Sequence, residues 1–220
     1  MNFFFADDHY GANSGRHVFE LLPEAFRTET VFTENSWSLL ESGDWVKDCG
    51  LLVLHMIAGT CGQPMPGAGA EKAVRSYCER GGDLLLLHGS SAAFWHWGWW
   101  RSMVGLRWVR PDDPDGAAPS THPVVPCTVE IAKVRHPLAA RLRRIELPTD
   151  EVYIELEQGS PVMILMETAV NGRTWPQAYL AETPWGGRIA AFIPGHDPAC
   201  IRAPGLIDNI TAMIQWLKNK

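Results

Sequence analysis

The stretch Gly82-Asp83-Leu84-Leu85-Leu86-Leu87-His88-Gly89-Ser90-Ser91 decides the fold of this chain. Four successive leucines behind two glycines predict a short strand buried on both faces, which is typical of a parallel sheet covered by helices. The run then breaks into histidine, glycine and serines, and ligands of open parallel sheets bind beyond the carboxyl ends of the strands. An imidazole at that edge titrates near neutral pH and is suited to chemistry. The alternative is a structural histidine that ends the strand and bonds to a nearby carbonyl.

Similar apolar runs alternate with helical patterns through the first half of the chain. We predict strands at residues 2–6 and 51–54, and a helix at residues 71–80 whose apolar side chains share one face. Strand and helix alternating at this rhythm indicate βαβ units and a doubly wound sheet. The sequence therefore predicts an α/β fold with a mainly parallel central sheet, in which residues 51–54 and 84–87 are neighbours.

The second half is less regular. A long loop is expected at residues 111–126, where acidic residues and prolines cluster, with strands at 128–131 and 161–167. Residues 175–180 and 188–193 read as a hairpin, and a last helix begins at Pro204. Neither a linker nor a repeat interrupts the chain. We therefore predict a single domain over residues 1–220, with a loop-rich insertion around 105–160.

Composition excludes several classes of function. The chain has 220 residues, 46% hydrophobic and 20% charged, which predicts a folded globular protein. A net charge of −6 argues against nucleic acid as a partner, because phosphate binding needs a cationic face. No stretch suggests a membrane span or a signal peptide. The five cysteines lack metal-ligand spacing, and an odd count without an export signal predicts reduced thiols and a cytoplasmic location.

Further polar groups follow or interrupt the apolar stretches. With the strand that ends at His88 and the tryptophan-rich segment after it, they occur in an order that resembles the ThuA-like family of trehalose-utilisation proteins. The resemblance covers roughly residues 50–217, and the groups that carry it are His122, His136-Pro137, Asp150-Glu151-Val152-Tyr153, Gly187-Arg188 and Gly195-His196.

The resemblance implies a flavodoxin-like three-layer sandwich of the class I glutamine amidotransferase-like superfamily. It also implies a link to oxidised (3-keto) disaccharides handled beside a sugar dehydrogenase, although many family members have no assigned reaction. Amidotransferases of this architecture place a cysteine on the turn after a central strand, where this chain has His88-Gly89-Ser90, so glutaminase chemistry is not expected. Cys61 lies in another glycine-rich turn, but prolines follow where the helix of a nucleophile elbow should begin.

We predict that His88, His196 and Glu151 form the catalytic set. A carboxylate beside a histidine holds one tautomer and raises its basicity, so such a set can remove a proton next to a ketone or protonate a leaving glycosidic oxygen. Tyr153 lies two residues after Glu151 and would face the same way in an extended segment. With His122 and Asp150, Tyr153 is expected to bind substrate. Without the resemblance, Asp150-Glu151 reads as a solvated turn after a proline.

A metal and a serine nucleophile are two further alternatives. The two histidines and one carboxylate would satisfy a divalent metal such as zinc, but the sequence lacks close ligand spacing, so the cofactor stays open. Ser90 and Ser91 offer hydroxyls beside His88, although serines at such positions more often cap a helix.

The run Trp95-His96-Trp97-Gly98-Trp99-Trp100 is the densest aromatic segment. Consecutive helical positions point all round the helix, so some of these rings should face the crevice and cover the apolar face of a sugar. We assign this role to Trp97 and Trp100. The alternative is plain core or a contact between the two copies in a homodimer.

Two functions from different classes remain. The first is an enzyme of carbohydrate metabolism whose partner is a small-molecule carbohydrate rather than nucleic acid or membrane. The second is a non-catalytic sugar- or partner-binding module, an amidotransferase-like shell that lacks the nucleophile cysteine. Several titratable groups at strand ends favour the enzyme, because a binding module has less need of imidazoles.

Overall fold

The computed structural model describes residues 1–8, 11–60 and 62–219. Within them, the strands are β1 (Asn2–Ala6), β2 (Thr30–Glu34), β3 (Leu51–His55), β4 (Leu84–Leu87), β5 (Leu106–Arg107), β6 (Val124–Ile131), β7 (Ile145–Glu151), β8 (Glu157–Gln158), β9 (Met163–Val170), β10 (Arg173–Glu182) and β11 (Arg188–Phe192). The helices are α1 (Ser14–Leu21), α2 (Glu24–Thr28), α3 (Ser38–Ser42), α4 (Ala68–Glu79), α5 (Gly98–Met103), α6 (Pro198–Ile201) and α7 (Leu206–Lys218).

Among the described residues, nine strands form one sheet in the order β2-β1-β3-β4-β11-β10-β9-β6-β7. The first five are parallel, and Leu52 of β3 pairs with Leu84 of β4, so the predicted neighbours are confirmed. From β11 onwards the strands pair antiparallel. The sheet is therefore mixed: its parallel half matches the prediction, and an antiparallel extension continues it.

Helices cover both faces of the parallel half. Alternate residues of β3 and β4 face opposite sides, and all of these side chains are buried. Leu85 and Leu87 pack in the core beneath α1, α2, α6 and α7, whereas Leu84 and Leu86 pack beneath α3, α4 and α5. Burial on both faces explains why β4 is an unbroken run of leucine rather than an alternating pattern.

The antiparallel extension buries mainly one face. Val129 of β6 and Ile145 and Leu147 of β7 pack into the core shared with α7, while Glu130 and Glu146 are exposed. Residues 105–160, expected to be loop-rich, carry the four strands β5 to β8 between irregular segments. Sequence reasoning missed β7 because Pro148 and three acidic residues interrupt its short apolar pattern.

The longest helix in the described ranges is α7, with 13 residues. None of the helices in these ranges combines the length and the apolar character needed to cross a bilayer.

Candidate functional site

Three predicted residues converge beyond the carboxyl ends of β4 and β11. His88 follows β4, His196 follows β11, and the two strands are paired, so both imidazoles reach the same edge of the sheet. Glu151 is the last residue of β7 and comes to them from the antiparallel extension. The structure thus brings together the three residues of the predicted catalytic set.

His88 is the buried centre of this cluster, with its side chain 1% exposed. Its Nδ1 lies 3.0 Å from the carbonyl oxygen of Ile193 and can only donate to it, which assigns the proton to Nδ1 and leaves a lone pair on Nε2. That Nε2 lies 3.1 Å from Nδ1 of His196, 3.2 Å from the hydroxyl of Tyr153 and 3.7 Å from Oε2 of Glu151.

Glu151 joins the imidazoles. Its Oε2 is 3.2 Å from Nδ1 of His196, and its Oε1 is 3.3 Å from Nδ1 of His122. Burial alone would raise the pKa of Glu151, but the hydrogen bond from His196 and the three nearby histidines outweigh it, so the pKa lies below its ordinary value. The same hydrogen bond raises the pKa of His196. The pair therefore favours a carboxylate beside an imidazolium.

Asp150 holds the loop that carries His196. Its carboxylate is buried and accepts hydrogen bonds from the backbone N–H groups of Gly195 (2.8 Å), His196 (3.1 Å) and Glu151 (3.0 Å). Burial raises its pKa despite these three bonds. The expectation that Asp150 binds substrate is corrected by this geometry, because the carboxylate turns towards the protein backbone. Asp150 therefore fixes the backbone at His196 and Glu151.

A cavity of 150 Å³ adjoins the cluster. Glu151, Tyr153 and His122 line it, and His88 lies directly behind the first two. The His122 side chain is 45% exposed and stands at the rim. The other lining residues are Ile57, Thr60, Gly89, Ala92, Trp108, Arg110 and Pro111.

The structure does not bring Trp97 and Trp100 to this cavity, which corrects the prediction that they line it. Both are buried, at 3% and 0% exposure, in the core beneath α4, where they pack on Phe94. Helix α5 is short, and its Trp100 ring packs in the core. The ring of Trp99 turns towards α4, where Glu71 accepts a hydrogen bond from its indole N–H. Trp108 lines the cavity instead, in an irregular segment whose sequence offers no periodic signal.

Two residues close to the site have structural roles: Asp7, which the sequence analysis did not single out, and Ser90, whose role it left open. Asp7 follows β1 as His88 follows β4, so the strand-end rule applied to His88 could have found it. It accepts hydrogen bonds from the backbone N–H groups of Ile57 (3.0 Å) and Ala58 (2.6 Å). Ser90 is fully buried and bonds to backbone groups of β3 and β4 and the residue after β3, while Cys61 lies outside the described residues.

Within the part of the chain that the structure describes, one set of three residues has the geometry of a metal site. Ligand atoms of His88, Glu151 and His196 all lie within 4.8 Å of one another. The bond from Nδ1 of His88 to Ile193 is the kind of outer contact that orients a ligating histidine, and two imidazoles with one carboxylate suit a catalytic zinc.

Comparisons with known proteins place this geometry in context. The family model described as ThuA, trehalose utilisation, matches residues 7–217. No curated protein matches the chain by sequence.

Among solved structures, a ThuA-like protein from Parabacteroides merdae covers 100% of this chain and 90% of its own length, with a TM-score of 0.76 and 16% identity. A GMP synthase-type protein from Thermoplasma acidophilum covers 99% of this chain and 94% of its own, with a TM-score of 0.55 and 14% identity. A β-galactosidase from Bacillus circulans aligns over 93% of this chain but 26% of its own, with a TM-score of 0.53 and 11% identity. At these identities the likeness shows the fold alone.

Proposed function

Because this chain belongs to the ThuA family of trehalose-utilisation proteins, we propose that it is an enzyme of carbohydrate metabolism acting on a sugar or a 3-keto-disaccharide by acid–base chemistry. The observation that carries the proposal is the convergence of His88, His196 and Glu151 behind one cavity, with ring nitrogens and a carboxylate oxygen 3.1–3.7 Å apart. A module that only bound sugar would have no need of two coupled imidazoles and a half-buried carboxylate.

The fold supports the same reading. Five parallel strands with helices on both faces, and the likeness to a GMP synthase-type protein, favour the flavodoxin-like sandwich of the class I glutamine amidotransferase-like superfamily. Glutaminase chemistry is not part of the proposal, because the turn after β4 carries His88, Gly89 and Ser90 rather than a cysteine nucleophile.

The two histidines differ in protonation state, and each therefore has its own role. His88 has its Nδ1 proton bonded to Ile193, so its Nε2 is the base, and the Tyr153 hydroxyl connects it to the cavity. His196, whose pKa is raised by Glu151, is the acid. On a keto-sugar the base removes the proton from the carbon beside the ketone, and the electron pair moves to the carbonyl oxygen. The electron pair then returns from the oxygen, which restores the ketone, and forms a double bond between the carbon that lost the proton and the anomeric carbon. The bond to the glycosidic oxygen breaks, and the acid protonates that oxygen.

The same donor set fits a divalent metal such as zinc. His88 through Nε2, His196 through Nδ1 and Glu151 through its carboxylate would hold it, since the atoms lie within 4.8 Å of one another. A bound ion would supply Lewis-acid polarisation of a sugar oxygen. Nε2 of His88 would then bind the ion and could not act as the base, so the acid–base roles given above apply to the metal-free centre.

Turnover of 3-ketotrehalose, with trehalose in parallel, tests the proposal. His88→Ala should lower turnover by roughly 10²–10⁴ while the fold, followed by circular dichroism, stays intact. His136→Ala is the matched control, because that histidine packs on Trp216 rather than on the cluster. Elemental analysis of the same samples separates the two chemistries, since only a metal enzyme loses stoichiometric metal in His88→Ala. No turnover by the wild type, or normal turnover by His88→Ala, would contradict the proposal.

A further inference from the structure

The wall of the cavity beside the catalytic set is aromatic and centred on Trp108. Its ring centroid lies 4.6 Å from that of Tyr153 and 5.3 Å from that of His122. Tyr153 bonds to His88 and His122 contacts Glu151, so the indole is one residue removed from each end of the catalytic set. A sugar ring stacked on this indole would therefore lie next to Tyr153 and His122, the two residues that connect the indole to the acid–base groups.

The backbone around Trp108 is held before any ligand binds. The Trp108 N–H donates to the Ser91 hydroxyl (3.3 Å), and the Val109 N–H donates to the Ser120 hydroxyl (2.9 Å). On the other side, Arg107 is buried and forms ion pairs with Asp113 and Glu157. Fixing both neighbours lowers the entropy lost when the indole takes up a ligand.

Arg110 adds a fixed cation to the same cavity. Its Nη2 donates to the Thr60 hydroxyl (2.8 Å) and to the Ala58 carbonyl (3.2 Å), and the guanidinium carbon lies 4.9 Å from the ring centroid of Trp95. These contacts hold the planar group in one orientation. A guanidinium carries five N–H donors, so it can bond to a sugar oxygen while keeping its contacts with Thr60 and Ala58.

The size of the cavity limits what it can enclose. Its 150 Å³ is well below the roughly 300–1,000 Å³ of pockets that enclose drug-sized ligands, and a disaccharide is a ligand of that size. One ring can enter, whereas a second must remain beyond the rim at His122 and Pro111.

We propose that this cavity recognises a single pyranose ring, with Trp108 stacked on its apolar face and Arg110 bonded to its oxygens, and that the second ring of a disaccharide stays outside. The inference rests on the proposed function for its choice of sugar. Binding should therefore depend little on what is attached at the glycosidic oxygen.

Calorimetric titration with two probes, 3-ketotrehalose and methyl 3-keto-α-glucoside, tests the proposal without requiring turnover. The wild type should bind both with dissociation constants within about threefold of each other. Trp108→Ala should weaken both by about tenfold or more and to the same extent, whereas Trp108→Phe, which keeps a stacking surface, should lose less. Arg110→Gln should weaken both about tenfold, and Arg110→Lys less, because it keeps the charge.

Trp185→Ala is the matched control. This half-buried tryptophan lies in the turn between β10 and β11, at the amino-terminal end of β11, whereas the cavity lies beyond its carboxyl end. Binding of the disaccharide more than about thirtyfold tighter than that of the methyl glycoside would overturn the single-ring inference. Unchanged binding of both probes by Trp108→Ala would overturn it as well, and so would a wild type that binds neither probe. Binding that follows the expected pattern in a protein without turnover would leave this inference standing and remove the proposed enzyme.

Discussion

His88 holds a backbone conformation that side-chain-bearing residues seldom adopt. Its φ is +50°, in the left-handed region, while its Nδ1 bonds to the Ile193 carbonyl. Such a conformation persists only where the surroundings fix it, and it is often found at functional sites. The sharp turn directly after β4 is what aims Nε2 at His196 rather than along the strand.

The positive φ of His88 predicts a difference in stability between two variants, which does not depend on the reaction. His88→Gly should be more stable than His88→Ala by about 1 kcal/mol, because glycine adopts positive φ without the steric cost that alanine meets. Both variants lack the imidazole, so both should be equally inactive. Denaturant unfolding of the two proteins measures the difference. An alanine variant at least as stable as the glycine variant would show that residue 88 does not keep its positive φ.

Asp150 should act through the backbone rather than on the substrate. Asp150→Asn puts an amide group where Gly195 and His196 need an acceptor, and leaving a buried N–H unsatisfied costs about 1–3 kcal/mol. We expect that loss of stability together with lower turnover from a displaced His196. Asp208→Asn, on the exposed side of α7, is the control and should change stability by less than about 0.5 kcal/mol. Equal stability of the two variants would contradict the positioning role.

The pair of Glu151 and His196 predicts a pH dependence of stability in protein treated with a chelator. The lowered pKa of Glu151 contributes stability above its ordinary value of 4.5, and this is lost as the pH falls through the folded-state pKa. The raised pKa of His196 contributes below its ordinary value of 6.5, and this is lost as the pH rises through the folded-state pKa. The stability advantage of wild type over Glu151→Gln should therefore be largest between pH 4.5 and 6.5.

Denaturant unfolding of both proteins from below pH 4.5 to well above pH 6.5 gives the measurement. Glu79→Gln, which removes one side of an exposed helix pair with Arg75, serves as the control and should show little dependence on pH. An advantage that stays constant with pH, or that grows as the solution becomes alkaline, would show that the two groups do not form the pair.

At the scale of elements, the turn after β4 is tied to its neighbour by one hydroxyl. The Ser90 hydroxyl lies 2.8 Å from the Leu54 carbonyl and 2.6 Å from the Leu87 carbonyl, and accepts from the Met56 N–H at 3.0 Å. It therefore links the ends of β3 and β4 beneath His88.

Ser90→Ala should cost about 1–3 kcal/mol of stability, because the buried Met56 N–H loses its acceptor. Turnover should stay within a few-fold of wild type, since the hydroxyl faces the strands. Thermal unfolding and the 3-ketotrehalose assay measure the two effects, with the exposed Ser42→Ala as control. Full stability with lost turnover would instead identify Ser90 as a nucleophile.

The parts of the fold that the sequence predicts are those buried on both faces. Apart from His55 at the end of β3, strands β3 and β4 contain only apolar residues, so their runs are unambiguous. Polar residues directly after neighbouring parallel strands must meet at one edge of the sheet. That rule identifies His88, but His196 also needs the family resemblance, because the sequence predicts residues 188–193 only as part of a hairpin and not as the parallel neighbour of β4. Glu151 needed the family resemblance, because β7 alternates, contains Pro148 and ends at a turn-like acidic pair.

The aromatic residues show where local sequence is insufficient. A tryptophan-rich helix can face a core or a crevice, and nothing in the segment from Trp95 to Trp100 distinguishes the two. Its burial is decided by α4 and the sheet, which lie far away in sequence. Trp108 reaches the cavity because Ser91, Ser120 and distant ion pairs hold an irregular segment in place.

For the whole molecule, the site lies where the two halves of the sheet are joined. The parallel half ends in His88 and His196, and the antiparallel extension supplies Glu151, Tyr153 and the rim residue His122. Strand β11 belongs to both halves, since it pairs parallel with β4 and antiparallel with β10. Neither half carries the full set, so the proposed chemistry requires both halves of the sheet.

Exchange of deuterium into 3-ketotrehalose in heavy water, followed by NMR, shows whether the site removes a proton from the carbon beside the ketone. If His88, His196 and Glu151 form an acid–base centre, the wild type should exchange the hydrogen beside the ketone, or cleave the adjacent glycosidic bond, well above the buffer rate. His88→Ala should lower that rate by roughly 10²–10⁴, and His136→Ala should leave it unchanged. No exchange and no cleavage by the wild type above the buffer rate, or an undiminished rate in His88→Ala, would contradict the account.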